Sequence, residues 1–197
     1  MVCSIEMLLF NQIYKNMKQT LKNLTTTCLV GCILFMACNQ SNKTENLTTQ
    51  NQTAMDSVNQ KIEDNKQLAR LWILEGWNKN RNKEVVDQVF AQDWEDGNPT
   101  FSEQPKGIDG AMYFVEQYRN ALPDIQFTMT HLIADSDYVT FRFEATATHE
   151  GTLMGIPATH KKVTVSGIVI HKVENGRFAK SWNEIDLLGL KMQLEQK

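Results

Sequence analysis

The chain has 197 residues, of which 42% are hydrophobic and 22% are charged, and its net charge is -3. This length suffices for one globular domain with a full core, and the weak, scattered charge excludes an electrostatic surface for nucleic acid. All four cysteines lie within the first 38 residues, so no disulfide or thiolate metal site is expected in the rest of the chain.

The first predicted element is a secretory signal peptide over residues 1–38. Lys18 and Lys22 precede an apolar run from Leu24 to Ala37. A basic region, a short apolar region and small residues at the cleavage site define such a signal, and a run this short does not span a bilayer unaided. The residues before Met17 do not fit the basic region, which makes Met17 the expected start. A single uncleaved membrane anchor is the alternative interpretation.

Cys38 marks the expected attachment to the membrane. A cysteine directly after Ala37 resembles the bacterial lipobox, whose cysteine is lipidated and becomes the mature N-terminus, although Phe35 replaces its usual Leu. The resemblance implies an exported lipoprotein of the bacterial cell envelope, anchored to the membrane through its lipid. Residues 39–60 consist largely of Asn, Gln, Ser and Thr. That composition buries too little surface to offset the entropy of ordering, so it predicts a disordered polar linker.

Residues 61–197 predict one α+β domain. An amphipathic helix is indicated by apolar residues at helical spacing, at Ala69, Trp72, Ile73, Gly76 and Trp77. Two more helices are predicted at Glu84–Ala91 and Ile108–Leu122, and Pro123 terminates the second. Polar and apolar residues then alternate in four strands, the last two joined at Asn175-Gly176, a strong hairpin signal. Helices followed by antiparallel strands are the order of an α+β fold.

A series of short motifs occurs in the C-terminal half of the chain. In order they are His149-x-Gly, Gly155-Ile-Pro-x-Thr, a Val-rich strand with Gly167-Ile, Asn175-Gly, and Trp182-x-x-x-Asp-x-Leu-Gly-Leu. Together with upstream motifs, this order resembles the SnoaL-like polyketide cyclases, also called SnoaL-like ester cyclases, over roughly residues 65 to 195. The resemblance implies a nuclear-transport-factor-like cone. In it, N-terminal helices pack on a curved four-stranded antiparallel sheet, a short C-terminal helix follows, and a pocket lies between helices and sheet.

The resemblance also implies a mechanism that needs neither cofactor nor metal. An acidic side chain in a dry pocket removes a proton next to a carbonyl, and the enolate closes a ring. Asp186 matches the acid/base Asp of the family, and His171 lies near its pocket His, which would donate to the oxyanion. Other roles stay open. Asp186 directly precedes an amphipathic segment that it could cap, and a bulge at Gly167 would reverse the direction of His171.

Four further residues are candidates for ligand binding. Trp77 and Trp182 could line the pocket, although buried tryptophans more often serve as core. His149 matches the Thr-His-x-Gly motif of the family but equally suits a structural histidine that bonds the following loop. Asn98 lies in a loop resembling the family's Asp-His-Asn-Pro loop, in which Gly97 replaces the His, and Asn before Pro also favours a turn. No short-range histidine pair or phosphate-binding loop is present, so no metal or nucleotide cofactor is expected.

These patterns favour an exported SnoaL-like protein that cyclises or isomerises a small apolar carbonyl compound by acid/base chemistry. The alternative is a non-catalytic lipoprotein whose cone binds a small ligand or another protein, because a fold does not determine a function. Tethering outside the cell argues against a dedicated polyketide pathway, whose intermediates are made inside. Exposure of Ile168 and Ile170, or of Val169, on the outer face of the sheet would favour a homodimer.

Overall fold

The computed structural model describes residues 15–16, 18–19 and 50–196. The compact unit Asp56–Lys197 contains the predicted α+β domain. Leu24–Ala37 and Cys38, which carry the signal-peptide and lipobox predictions, lie outside the described residues. Among the residues that are described, no helix is both long enough and apolar enough to cross a membrane.

From residue 50 onward, the helices lie near the predicted places, although some of their ends differ from the prediction. In chain order they are α1 at residues 50–70, a π-helical segment π1 at Leu71–Trp77, α2 at Asn82–Val89, α3 at Gly107–Ala121, and α4 at Leu187–Glu195. In π1 the Asn78 amide donates to the Ile73 carbonyl at 2.9 Å. The wider turn of a π-helix brings side chains five apart to one side, so Trp72 and Trp77 both face the interior.

Part of the segment predicted as a linker lies within the described residues. Residues 50–60 are helical and exposed, while residues 39–49 lie outside the described part of the chain, so the linker stays a prediction. The amphipathic part of α1 is stabilised by packing, and extending a helix that already exists adds one hydrogen bond for each residue fixed. The side chain of Gln60 donates to Asp64 at 2.9 Å, one turn further on. A polar sequence can therefore continue a helix that it would not nucleate.

The sheet has five strands in the order β1-β5-β4-β3-β2. The strands are β1 at Phe90–Asp96, β2 at Gln126–Ala134, β3 at Tyr138–Thr148, β4 at Lys162–Glu174, and β5 at Arg177–Ile185. Strands β2 to β5 pair antiparallel, whereas β1 pairs parallel to β5. The α+β class is confirmed, and the predicted count of four strands is wrong by the edge strand β1.

Strand β1 was not predicted, because its composition does not indicate a strand. The segment Phe-Ala-Gln-Asp-Trp-Glu-Asp has no β-branched residue and three acidic ones, a composition that is poor in strand formers. Phe90 and Trp94, its two buried residues, are spaced by four and so also fit one face of a helix. The last two residues of the predicted helix Glu84–Ala91 therefore belong to β1, which forms a strand by pairing with β5.

The register of β4 determines which residues face the helices. Strand β4 pairs with β3 without interruption past Gly167, and its irregularity against β5 lies between Lys172 and Val173. No bulge occurs at Gly167, which settles the direction that the sequence left open, and Val169 and His171 are buried on the helix side. Ile168 and Ile170 face outward with 48% and 41% exposure. The homodimer that such a face favours stays a prediction.

Candidate functional site

A small apolar pocket lies between π1, α3 and the inner face of the sheet. Its volume is about 60 Å³, which leaves room for only a small ligand unless the surrounding rings move. Its lining is mostly aromatic and aliphatic and consists of Trp72, Ile73, Trp77, Phe114, Tyr118, Ile125, Phe127, Phe141, Phe143, Val165, Val169, His171, Asn183 and Ile185. Gly167 keeps space beside this pocket, since a Cβ there would lie 2.8 Å from the Phe143 ring.

His171 is the one histidine among these lining residues. Its side chain is 3% exposed, and its imidazole stacks on the Phe178 ring with 3.8 Å between centroids and 2° between planes. Phe141 lies 5.8 Å away, tilted by 39°. These rings fix the plane of the imidazole. Burial lowers the pKa of His171 to about 3, so the ring is neutral at neutral pH.

A hydrogen-bonded chain of three side chains holds one edge of this imidazole. Nδ1 of His171 lies 2.6 Å from Oγ of Ser181, and the same Oγ accepts from Nε1 of Trp94 at 2.8 Å. Nε2 of His171 is buried and has no hydrogen-bond partner in the described part of the chain. A buried nitrogen without a partner is costly, which makes Nε2 the natural contact for a polar ligand atom.

Two other polar residues line the pocket, and sequence patterns singled out neither. Asn183 projects inward from β5 next to Ile185. Burial raises the pKa of Tyr118 to about 12, so its hydroxyl, which is hydrogen bonded to Thr100, stays protonated at neutral pH. None of the lining residues is a carboxylate. Among the described residues, no group of three or more His, Cys, Asp or Glu side chains could hold a metal ion.

Asp186 lies outside this pocket. It is exposed at the end of β5 and caps α4, with its carboxylate accepting from the Gly189 amide at 2.8 Å. Its two inner neighbours in the pocket, Asn183 and Ile185, are odd-numbered, which places Asp186 on the opposite face of the strand. The structure therefore assigns Asp186 the capping role that its sequence position also allowed, and gives it no contact with the pocket.

Asn98 and Trp182 also lie outside the pocket. The amide of Asn98 bonds the backbone of Asn183, donating to its carbonyl at 2.9 Å and accepting from its N–H at 2.8 Å. Trp182 is on the outward face of β5 and packs on the loop after β1. A Cβ at Gly97 would lie 2.4 Å from its Nε1, so the indole fills the space that a side chain at position 97 would need. Both residues hold the loop to the sheet.

Of the last two sequence candidates, His149 lies outside the pocket and Trp77 lines it. His149 is fully buried but does not line the pocket, and its Nδ1 accepts from the Thr159 amide at 3.2 Å, which supports a structural role in the loop before β4. Trp77 does line the pocket. The guanidinium of Arg119 lies 5.2 Å above the Trp77 ring and donates to its backbone carbonyl. Trp77 and His171 are thus the two candidates that the structure brings together.

Comparisons with known proteins point to one family. The model of the SnoaL-like polyketide cyclases matches residues 67–194. No curated protein matches the chain. Among solved structures, TsrD from Streptomyces laurentii is similar at 26% identity and a TM-score of 0.61, over 68% of this chain and 96% of TsrD. A proposed polyketide cyclase from Acidithiobacillus ferrooxidans is similar at 28% identity and a TM-score of 0.59, over 68% of this chain and 95% of that one.

Proposed function

Because the chain belongs to the SnoaL-like polyketide cyclase family, we propose that its pocket binds a small apolar carbonyl compound. In the bound state, the carbonyl oxygen accepts a hydrogen bond from Nε2 of His171. The observation that carries this proposal is the buried Nε2 without a partner in an otherwise apolar lining. Asn183 supplies a second polar group, a side-chain amide, among the lining residues.

The chemistry of the pocket supports carbonyl binding over other ligand classes. Aromatic rings take the apolar body of the ligand, and a few placed polar groups orient it, as is usual in small-molecule sites. The neutral state of His171 disfavours an anionic ligand that would need an imidazolium partner. A donor at the carbonyl oxygen also lowers the energy of an enolate, which is the electrostatic half of a cyclase mechanism.

The other half of a cyclase mechanism is a base that removes the proton, and the pocket lining contains no carboxylate to act as one. The family resemblance assigns it to Asp186, but this carboxylate caps α4 and faces away from the pocket. Proton abstraction by Asp186 would require the start of α4 to rearrange. The function that the geometry supports best is therefore binding and polarisation of a carbonyl, the non-catalytic alternative of the sequence analysis, and it needs no cofactor.

A matched pair of ligands tests this function. Cyclopentanone and methylenecyclopentane have nearly the same shape, but the second has no carbonyl oxygen. We expect cyclopentanone to bind about fivefold more tightly, because one net hydrogen bond contributes about 1 kcal/mol. In His171→Phe, which keeps an aromatic ring on Phe178, the preference should disappear. Titrations of the full chain followed by NMR measure both affinities in the millimolar range.

A control at Asp186 separates binding from base catalysis. Asp186→Asn keeps an N-cap side chain and removes the carboxylate, so it should leave both affinities unchanged. Exchange of the α-protons of cyclopentanone in deuterated water reports enolisation. Exchange that the wild type accelerates and Asp186→Asn does not would restore the acid/base mechanism. An equal affinity of the wild type for the two ligands would contradict the carbonyl contact.

We also propose that the protein is exported and anchored to the membrane by a lipid on Cys38. The support is the order of a basic segment, a short apolar run and a cysteine directly after Ala37. A single acyl chain binds membranes only reversibly, so stable anchoring takes more than one chain.

Metabolic labelling tests the anchor. In a bacterial host given an alkyne fatty acid, the wild type should carry the label and sediment with membranes. Cys38→Ser should lose the label and leave the membrane fraction, whereas the matched control Cys32→Ser should keep both. Labelling that persists in Cys38→Ser would contradict the lipid site, and membrane association that persists without a label would favour the uncleaved anchor.

A further inference from the structure

We propose that Ser181, held in place by Trp94, is a positioning residue that fixes the neutral tautomer of His171 with its proton on Nε2. Ser181 is 1% exposed and does not line the pocket, so it has no contact with a ligand there. Its effect on a ligand must pass through the imidazole. The proposal deepens the function given above, since a carbonyl needs a donor at Nε2.

Counting donors and acceptors around the Ser181 hydroxyl decides the tautomer. A hydroxyl has one proton to donate and two lone pairs to accept with. The indole of Trp94 is only a donor, so it occupies one lone pair of Oγ. Among the described residues, Nδ1 of His171 is the one acceptor within hydrogen-bond distance of this hydroxyl. The hydroxyl proton therefore points to Nδ1, and Nδ1 is the nitrogen without a proton.

The opposite tautomer would leave two buried polar groups of the His171–Ser181 pair without partners in the described chain, the hydroxyl proton and a bare Nε2, whereas the proposed tautomer leaves only the Nε2 proton, which a ligand can use. If Nδ1 carried the proton, it would donate to Oγ, and the hydroxyl proton would have no acceptor among the described residues. An unmade hydrogen bond at a buried donor carries the full penalty of its desolvation. Stacking on Phe178 at 3.8 Å keeps the imidazole in this plane, and a 180° flip within the plane would lose the contact between Nδ1 and Oγ of Ser181.

The edge strand β1 carries Trp94, whose indole occupies one lone pair of the Ser181 hydroxyl. Strand β1 pairs with β5 at Asp96 and Ser181, and the Gly97 amide donates to the Ser181 carbonyl at 2.7 Å. This pairing places Trp94, which is 4% exposed, beside the Ser181 hydroxyl. A strand with few strand-forming residues, whose register against β5 shifts between Phe90 and Glu95, thus carries the indole that bonds Ser181 beside the one histidine of the pocket lining.

The wild-type protein tests the proposal without any substitution. The full chain, labelled with ¹⁵N-histidine and held in detergent micelles, gives long-range proton–nitrogen correlations that distinguish a protonated ring nitrogen from a bare one. At pH 7 we expect His171 to show a proton on Nε2 and a bare Nδ1. A proton on Nδ1 would overturn the proposal.

Variants then test whether Ser181 is the cause. Ser181→Ala removes the hydroxyl, so the population with a proton on Nδ1 should rise and the affinity for cyclopentanone should fall about fivefold. Affinity for methylenecyclopentane should not change, and Ser181→Thr, which keeps a hydroxyl, should restore the wild-type spectrum. An unchanged tautomer in a folded Ser181→Ala would overturn the role of Ser181.

The same measurements separate this inference from the proposed function. A proton on Nε2 together with no preference for cyclopentanone would support the assignment of the tautomer and overturn carbonyl binding. A proton on Nδ1 together with a clear preference for cyclopentanone would support carbonyl binding and overturn the assignment of the tautomer. The oxygen contact would then have to come from another donor such as Asn183.

Discussion

Phe178→Ala is expected to lower the free energy of unfolding by about 3–5 kcal/mol, the usual cost of deleting a buried aromatic side chain. Phe178 is fully buried, stacks on His171 at 3.8 Å and meets the Phe90 ring edge to face at 5.4 Å. Its deletion removes contacts to both β1 and β4, so the surrounding structure has little freedom to close the cavity. Urea denaturation of wild type and variant measures the change.

The matched control is a large residue on the other face of the sheet. Ile168→Ala, at a position 48% exposed on β4, should cost less than about 1 kcal/mol, because little apolar surface returns to water. A second readout follows from the stack. Without Phe178 one face of the imidazole is less desolvated, so the pKa of His171 should rise. If Phe178→Ala costs no more than Ile168→Ala, Phe178 is not the support of the pocket that we describe.

Elements defined by local patterns were predictable from the sequence. The helical spacing of Trp72, Ile73 and Trp77 predicted an inward face, and all three are buried. Asn175 and Gly176 predicted a hairpin turn, and both have positive φ, at 51° and 72°. Each of these signals depends on residues within a turn or two of one another, so it needs no knowledge of the remaining fold.

Elements defined by long-range pairing were not predictable. Strand β1 has a composition unfavourable to strands and forms because β5 is beside it. The direction of His171 depended on whether Gly167 starts a bulge, which only the register of β3 and β4 decides. Ser181 and Trp94 are 87 residues apart, and nothing in either local sequence indicates that they meet.

The candidate site shows the same division. From the sequence, Asp186 could be an acid/base residue or a helix cap. Only the cap can be predicted from neighbouring residues, because its hydrogen bond is to Gly189, three residues further on. The pocket that the family resemblance implied is present between the helices and the sheet, but its polar contact is His171 with the support of Ser181. Motif order thus identified the family, while the functional groups depended on contacts across the sheet.

Lowering the pH from 6.5 to 4.5 is expected to destabilise the fold by about 2–3 kcal/mol through His171 alone, since one full proton contributes about 1.4 kcal/mol per pH unit. Burial lowers the pKa of His171 from 6.5 to about 3 in the folded protein. Between these two values the unfolded chain binds a proton that the folded chain does not bind. Stability from this group is therefore complete above about pH 6.5 and falls as the pH falls toward 3.

Other groups with lowered pKa values act in the same direction as His171. Burial also lowers the pKa of His149, so its protonation favours the unfolded chain as well. Hydrogen bonds from Thr148 lower the pKa of Asp124 below 3.8, and the stability that this carboxylate contributes is lost only at more acidic pH. Hydrogen bonds from Lys66 and Lys79 also lower the pKa of Glu63 and of Glu75 below 4.5, so the acidic end of the range carries a carboxylate contribution, which comparison with a His171 variant cancels.

Urea denaturation at several pH values in this range measures the slope, and His171→Gln removes the contribution of one histidine. The glutamine still offers an acceptor to Ser181, so the variant should fold and should lose about 1.4 kcal/mol per pH unit from the slope. His131→Gln, at an exposed position of β2, is the matched control for replacing a histidine by glutamine. If the wild type and His171→Gln share one slope, the imidazole is not held neutral in a desolvated pocket. The donor that we assign to the carbonyl would then titrate near neutral pH, and its selection of a neutral ligand over an anion would be lost as the pH falls.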